Sequence, residues 1–126
     1  MSTIGFDTSN YTTSTAWTDG KTDINVRQIL YVKDGERGIR QSDGVFQHMK
    51  LMPVMYENLS EQIDFKDVKA VGVSTRPRCV EGSYMPVFLA GEGYAKVVAN
   101  TLGVPLYEFS HQDGHIMAGI YLRGPF

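Results

Sequence analysis

Two of the three histidines in the chain, His111 and His115, stand four residues apart in Phe109-Ser110-His111-Gln112-Asp113-Gly114-His115. On a helix that spacing puts both imidazoles on one face, where they can converge on one ion. Ser110 can cap such a helix and Asp113 can return the bond from the third helical position, so the helix is expected to begin at the histidines. The positive end of the helix dipole favours neutral imidazole, the ligand form, but opposes a cation by about 0.3–1 kcal/mol. A complete transition-metal site is worth on the order of 10 kcal/mol, so the dipole does not veto binding. Two nitrogens do not close a site, because zinc takes three or four protein ligands and a third must come from elsewhere. Two polar residues on an exposed helix turn would show the same spacing. Gln112 occupies the place where the zincin motif needs its glutamate base, which disfavours thermolysin-like hydrolysis.

A second chemically dense stretch is Asp7-Thr8-Ser9-Asn10-Tyr11-Thr12-Thr13. Such a loop can hold phosphate oxygens with backbone N–H groups and side-chain donors, and a strand-end carboxylate can take magnesium. An ordinary polar hairpin loop has the same composition. A third is Thr75-Arg76-Pro77-Arg78-Cys79-Val80-Glu81, whose two arginines can receive a phosphate or carboxylate or stand on the surface without a ligand. Cys79 has no histidine near it in sequence to act as a base and reads as an unreactive thiol. His48 reads as a partly exposed or core-edge residue.

The elements that must position these residues follow from periodicity. Ile4 to Phe6, ending in Asp7, reads as a buried strand, and Thr13 to Thr18 as a second. Asp19-Gly20 marks a turn into a third strand from Val26 to Lys33, which completes an antiparallel meander. Val45, Met49, Met52, Tyr56 and Leu59 recur at helical spacing, with Ser42 or Asp43 as cap and Pro53 expected to kink the helix. Val68 to Ser74 is apolar enough for a strand buried on both faces. A long helix is expected from Tyr84 to Leu102, capped by Ser83, with Pro86 in its first turn and Gly103 at its end. Its glycines Gly91 and Gly93 cost helix propensity, up to about 1 kcal/mol each, so a closely packed strand or ligand should compensate. A strand from Leu106 to Phe109 then delivers the chain to the histidines.

This order gives an α/β fold with a mixed five-stranded sheet whose later strands are parallel. Ligands in such sheets lie beyond the carboxyl ends of the strands, where Asp7, the stretch from Ser74 to Arg78, and His111 all fall. The chain has 126 residues, which fits one domain that buries roughly two thirds of its unfolded surface. A net charge of −2 gives no bulk reason for a nucleic-acid surface. Cys79 is the single cysteine and makes no intrachain disulfide. No apolar run is long enough to cross a bilayer and Met1 to Asp7 lacks the regions of a signal peptide, so the expected location is the cytoplasm.

The combination of Ile4-Gly5-Phe6-Asp7-Thr8-Ser9, Val71-Gly72-Val73-Ser74, Ala99-Asn100-Thr101-Leu102-Gly103-Val104-Pro105-Leu106 and Ser110 to His115 resembles the N-terminal half of the glycoprotease-like family. Its best-known members are threonylcarbamoyl transferases that modify an adenosine beside the tRNA anticodon, formerly described as O-sialoglycoprotein endopeptidases. The resemblance implies a ribonuclease-H-like lobe of the actin-like ATPase and sugar-kinase fold, spanning residues 1–126. It implies iron or zinc held by His111 and His115, and a nucleotide, ATP or an acyl-adenylate, with its phosphates beside Asp7, Thr8, Ser9 and Asn10. It further implies a C-terminal lobe that supplies the remaining ligands, tRNA and proteins of the modification complex as partners, no membrane, and room for a homo-oligomer. The isolated lobe is expected to be inert. The chain departs from the family at Asp113, where glutamate is common, at Arg76-Pro77-Arg78, where transferases carry Gly-Pro-Gly, and at Asn10-Tyr11, which lacks a second acidic residue. A non-catalytic paralogue that binds a partner protein, through Ile116, Met117, Ile120, Tyr121 and Leu122, is the alternative.

Overall fold

The structure, a computed structural model, describes residues 1–8, 11–32, 41–76 and 86–110. The first three strands form the expected meander: β1 (Ser2–Asp7) pairs antiparallel with β2 (Thr12–Thr18), which pairs antiparallel with β3 (Asp23–Ile29). The third strand starts three residues before Val26 and stops at Ile29. The turn dictates this start, because Thr18 and Asp23 already pair across it and the Thr18 hydroxyl donates to Asp23 Oδ1 at 2.8 Å. Gly20 supplies the positive φ of 89° that the turn needs. Beyond β3 the Leu30 N–H still donates to the Tyr11 carbonyl at 2.7 Å.

Helix α1 (Gln41–Ser60) carries Pro53 within its span. Its inward face differs from the expected one. Gly44, His48, Met52, Met55 and Leu59 are buried, whereas Met49 is exposed. The helix is turned so that a polar histidine replaces Met49 in the core, which works only because His48 finds a hydrogen-bonding neighbour there.

After a 3-10 turn (Phe65–Asp67), β4 (Val68–Arg76) runs parallel to β1. Helix α2 (Phe88–Leu102) leads to β5 (Leu106–Ser110), parallel to β4. The strand order is β3-β2-β1-β4-β5. Of the expected start of α2, Ser83 and Tyr84 lie outside the described residues. Pro86 precedes the helix, in a turn whose carbonyl accepts the Leu89 N–H at 3.0 Å. At the other end Gly103, at φ 68°, closes α2 as expected, with the Val104 N–H reaching back to the Ala99 carbonyl at 3.0 Å.

Register and alternation put Ile4, Phe6, Trp17, Val26, Val71, Val73 and Leu106 on one sheet face. Met52 and Leu59 of α1 and Ala95 and Ala99 of α2 pack against that face to form the core. Small alanines let α2 approach the central strands, while the Tyr94 hydroxyl ties the two helices together through the Met49 carbonyl at 2.8 Å. No helix among the described residues is long and apolar enough to cross a membrane.

Candidate functional site

The parallel strands β1, β4 and β5 lie side by side, so their carboxyl ends share one rim. Phe6 pairs with Val73, which places Asp7 beside Ser74 one step further along. Both lie on the face away from the helices, as does Ser14, the partner of Asp7 on β2. Arg76 pairs with Ser110, the residue immediately before His111. The three stretches singled out by composition therefore leave the sheet from neighbouring points on that rim. Ser9, Asn10, Pro77, Arg78, Cys79, His111 and His115 themselves lie outside the described residues, as does the apolar stretch from Ile116 to Leu122.

Asp7 is half-buried at the end of β1. Thr8, the next residue, is fully buried, and its hydroxyl is occupied. It donates to the Val87 carbonyl at 2.8 Å and accepts the Gly91 N–H at 3.0 Å. A threonine hydroxyl has one proton to give, so here Thr8 has none left for a phosphate oxygen. Its hydroxyl bridges the Val87 carbonyl, at the N-cap position of α2, and the N–H of Gly91 four residues on. Gly91 permits the contact. A Cβ there would stand 2.9 Å from Thr8 Oγ1 and 3.3 Å from its methyl carbon. The packed strand expected to compensate for the glycines is thus the end of β1, for Gly91; among the described residues nothing stands within 4 Å of a Cβ on Gly93.

The Ser74 hydroxyl is fully buried and has no hydrogen-bond partner among the described residues. His48, expected to be partly exposed or at the core edge, is completely buried, with Nδ1 2.7 Å from the Thr13 hydroxyl. A histidine on the apolar face of α1 facing a threonine-rich strand was the available signal, but a helical phase error of one residue hid it. Among the described residues no three histidine, cysteine, aspartate or glutamate side chains converge as a metal cluster.

No family model matches the chain. It is 28% identical over 123 residues to a tRNA N6-adenosine threonylcarbamoyltransferase of Pyrobaculum calidifontis, an alignment that covers 96% of the chain and 35% of that protein. The enzyme of the same name from Clostridium kluyveri is 35% identical over 85 residues, covering 63% of the chain and 24% of the relative. The chain thus spans about a third or less of these relatives. Among solved structures, YeaZ from Pseudomonas aeruginosa superposes with a TM-score of 0.58 at 18% identity, over 87% of the chain and 43% of YeaZ. A protein described as similar to peptidase YeaZ, also from Pseudomonas aeruginosa, gives a TM-score of 0.60 at 15% identity, over 86% of the chain and 43% of its own. The five-stranded mixed sheet with its helices is accordingly the ribonuclease-H-like lobe of the actin-like ATPase fold. The chain is thus similar in sequence to part of the tRNA N6-adenosine threonylcarbamoyltransferases and in fold to YeaZ.

Proposed function

We propose that the chain is the N-terminal lobe of a cytoplasmic metal- and nucleotide-binding protein that transfers an acyl group to a tRNA adenosine. The observation that carries the reading is the common rim. Asp7, Ser74 and the Arg76–Ser110 pair stand at the carboxyl ends of adjacent parallel strands, where open α/β sheets bind ligands. The likeness to proteins named as threonylcarbamoyltransferases supplies the reaction class.

In this reading the stretch from Asp7 to Asn10 lines the phosphate side of ATP or an acyl-adenylate. Asp7 offers a carboxylate to magnesium, Ser9 and Asn10 offer donors, and Thr8 contributes through its position because its proton is committed. His111 and His115 supply two imidazole nitrogens, a donor set that suits iron or zinc but needs further ligands from a C-terminal lobe. A metal held there would act as a Lewis acid and template for the acyl carbonyl. Arg76 and Arg78 receive phosphate or tRNA backbone in this reading. The test is metal content and transfer to tRNA adenosine by the full-length protein. Iron or zinc that is lost on His111→Ala, together with lost transfer, is expected; full transfer by that variant would overturn the reading.

A second reading, a non-catalytic partner protein, is favoured by one observation. Phe46, Met49 and Val54 of α1 are 61%, 52% and 67% exposed. Large apolar side chains left at the surface of a helix are where a partner protein can seat. Full-length protein that carries no iron or zinc, and transfers nothing, would favour this reading over the first.

A further inference from the structure

We propose that Thr8 is a positioning residue for the Asp7 site, latching the carboxyl end of β1 onto the first turn of α2. The role assigned to Asp7 rests on the nucleotide-binding reading above; the latch itself does not. Two buried hydrogen bonds join Thr8 to residues 79 and 83 positions away, Val87 and Gly91. The Thr8 hydroxyl stands between the Val87 carbonyl and the Gly91 N–H, the pair that would close the first i to i−4 bond of α2. The contact is steric as well as polar, because the closest atoms to a Cβ on Gly91 all belong to Thr8.

Three consequences follow from this geometry. The Asp7 backbone is pinned between its sheet partner Ser14 on one side and a residue locked to α2 on the other. The first turn of α2 is in turn held by β1, because one Thr8 hydroxyl bonds both its N-cap carbonyl and the Gly91 N–H. Movement of either segment therefore breaks both bonds together, and a ligand that orders Asp7 also orders the start of α2. Serine keeps the hydroxyl and so keeps the latch; valine keeps the shape and loses it.

The test is amide hydrogen exchange on the protein and its Thr8→Ser, Thr8→Val and Gly91→Ala variants. Loss of buried hydrogen bonds in Thr8→Val should speed exchange about tenfold to a hundredfold at Gly91 and equally across Phe6 to Thr8, with β5 unchanged. Gly91→Ala, which pushes Thr8 aside, should affect the same two segments, and Thr8→Ser neither. Faster exchange at Gly91 alone would leave only a local contact with α2, and at neither segment not even that; either result would overturn the coupling. Magnesium-ATP titration of the same variants should show about tenfold weaker binding for Thr8→Val and near-normal binding for Thr8→Ser. Absence of binding by the unmodified protein would count against the nucleotide reading, while the exchange result still decides the latch.

Discussion

The Thr13 hydroxyl and His48 Nδ1 lie 2.7 Å apart in a fully buried contact that joins β2 to α1. Neither residue reaches solvent, so each stands in for the water the other has lost. His48→Ala removes a bulky buried ring and strands the Thr13 hydroxyl, and should cost about 2–5 kcal/mol. Thr13→Val should cost less, because it leaves no cavity and only one unmet polar group. Urea unfolding of both single variants and the double variant would measure this. Single costs that simply add would show that the contact carries no coupling energy.

Gly91 and Gly93 sit two residues apart in α2 yet should respond oppositely to alanine. Alanine at Gly93 meets nothing among the described residues and should stabilise the protein by up to about 1 kcal/mol, the helix-propensity difference. At Gly91 the same propensity gain is opposed by overpacking against Thr8, an effect of about 1–3 kcal/mol, so the net change should be destabilising. Thermal melts of the two variants give the comparison. A Gly91→Ala protein as stable as Gly93→Ala would mean that Thr8 moves aside at no cost.

Elements with strong local signals were readable from the sequence alone. The meander, the apolar β4 and the Gly103 stop each rest on alternation or on one residue with a special backbone requirement. The phase of α1 was not readable, because Met49 and His48 differ by 100° around the helix and hydropathy favours the methionine. Only the tertiary pairing with Thr13 reverses that choice. The start of α2 at Phe88 was not readable either: Tyr84 and the Ser83 expected to cap it lie outside the described residues, and the hydroxyl that holds the start of the helix comes from Thr8, 83 positions before Gly91. At the rim, Asp7 could be placed from its position after an apolar strand. That Thr8 spends its proton inside the protein could not, since nothing local in Asp7-Thr8-Ser9 distinguishes a ligand donor from a latch.

Asp7→Asn keeps size and shape but removes the charge that a hydrated magnesium ion requires. Magnesium-dependent nucleotide affinity of the full-length protein should fall at least about tenfold, roughly 1.4 kcal/mol, with little change in magnesium-free binding. Calorimetric titration with and without the ion separates the two. Equal losses in both conditions would assign Asp7 a structural role.

Asp19 gives the protein a pH-dependent turn. Its carboxylate accepts the Thr22 N–H at 2.7 Å and the Lys21 N–H at 2.8 Å. These bonds, that of Thr22 first, hold its pKa below the ordinary 3.8. A group whose pKa is lower folded than unfolded stabilises the fold above the unfolded value, and that stabilisation disappears as the pH drops through the folded one. Asp19 is solvent-exposed, so screening keeps the effect small, and it belongs to the β2–β3 turn rather than to the core. Asp19→Asn should therefore lower the melting temperature near neutral pH, and the gap to the unmodified protein should narrow as the pH falls below 3.8. A gap of constant width across that range would mean that the turn is held by Gly20 and the Thr18–Asp23 bond without help from the carboxylate.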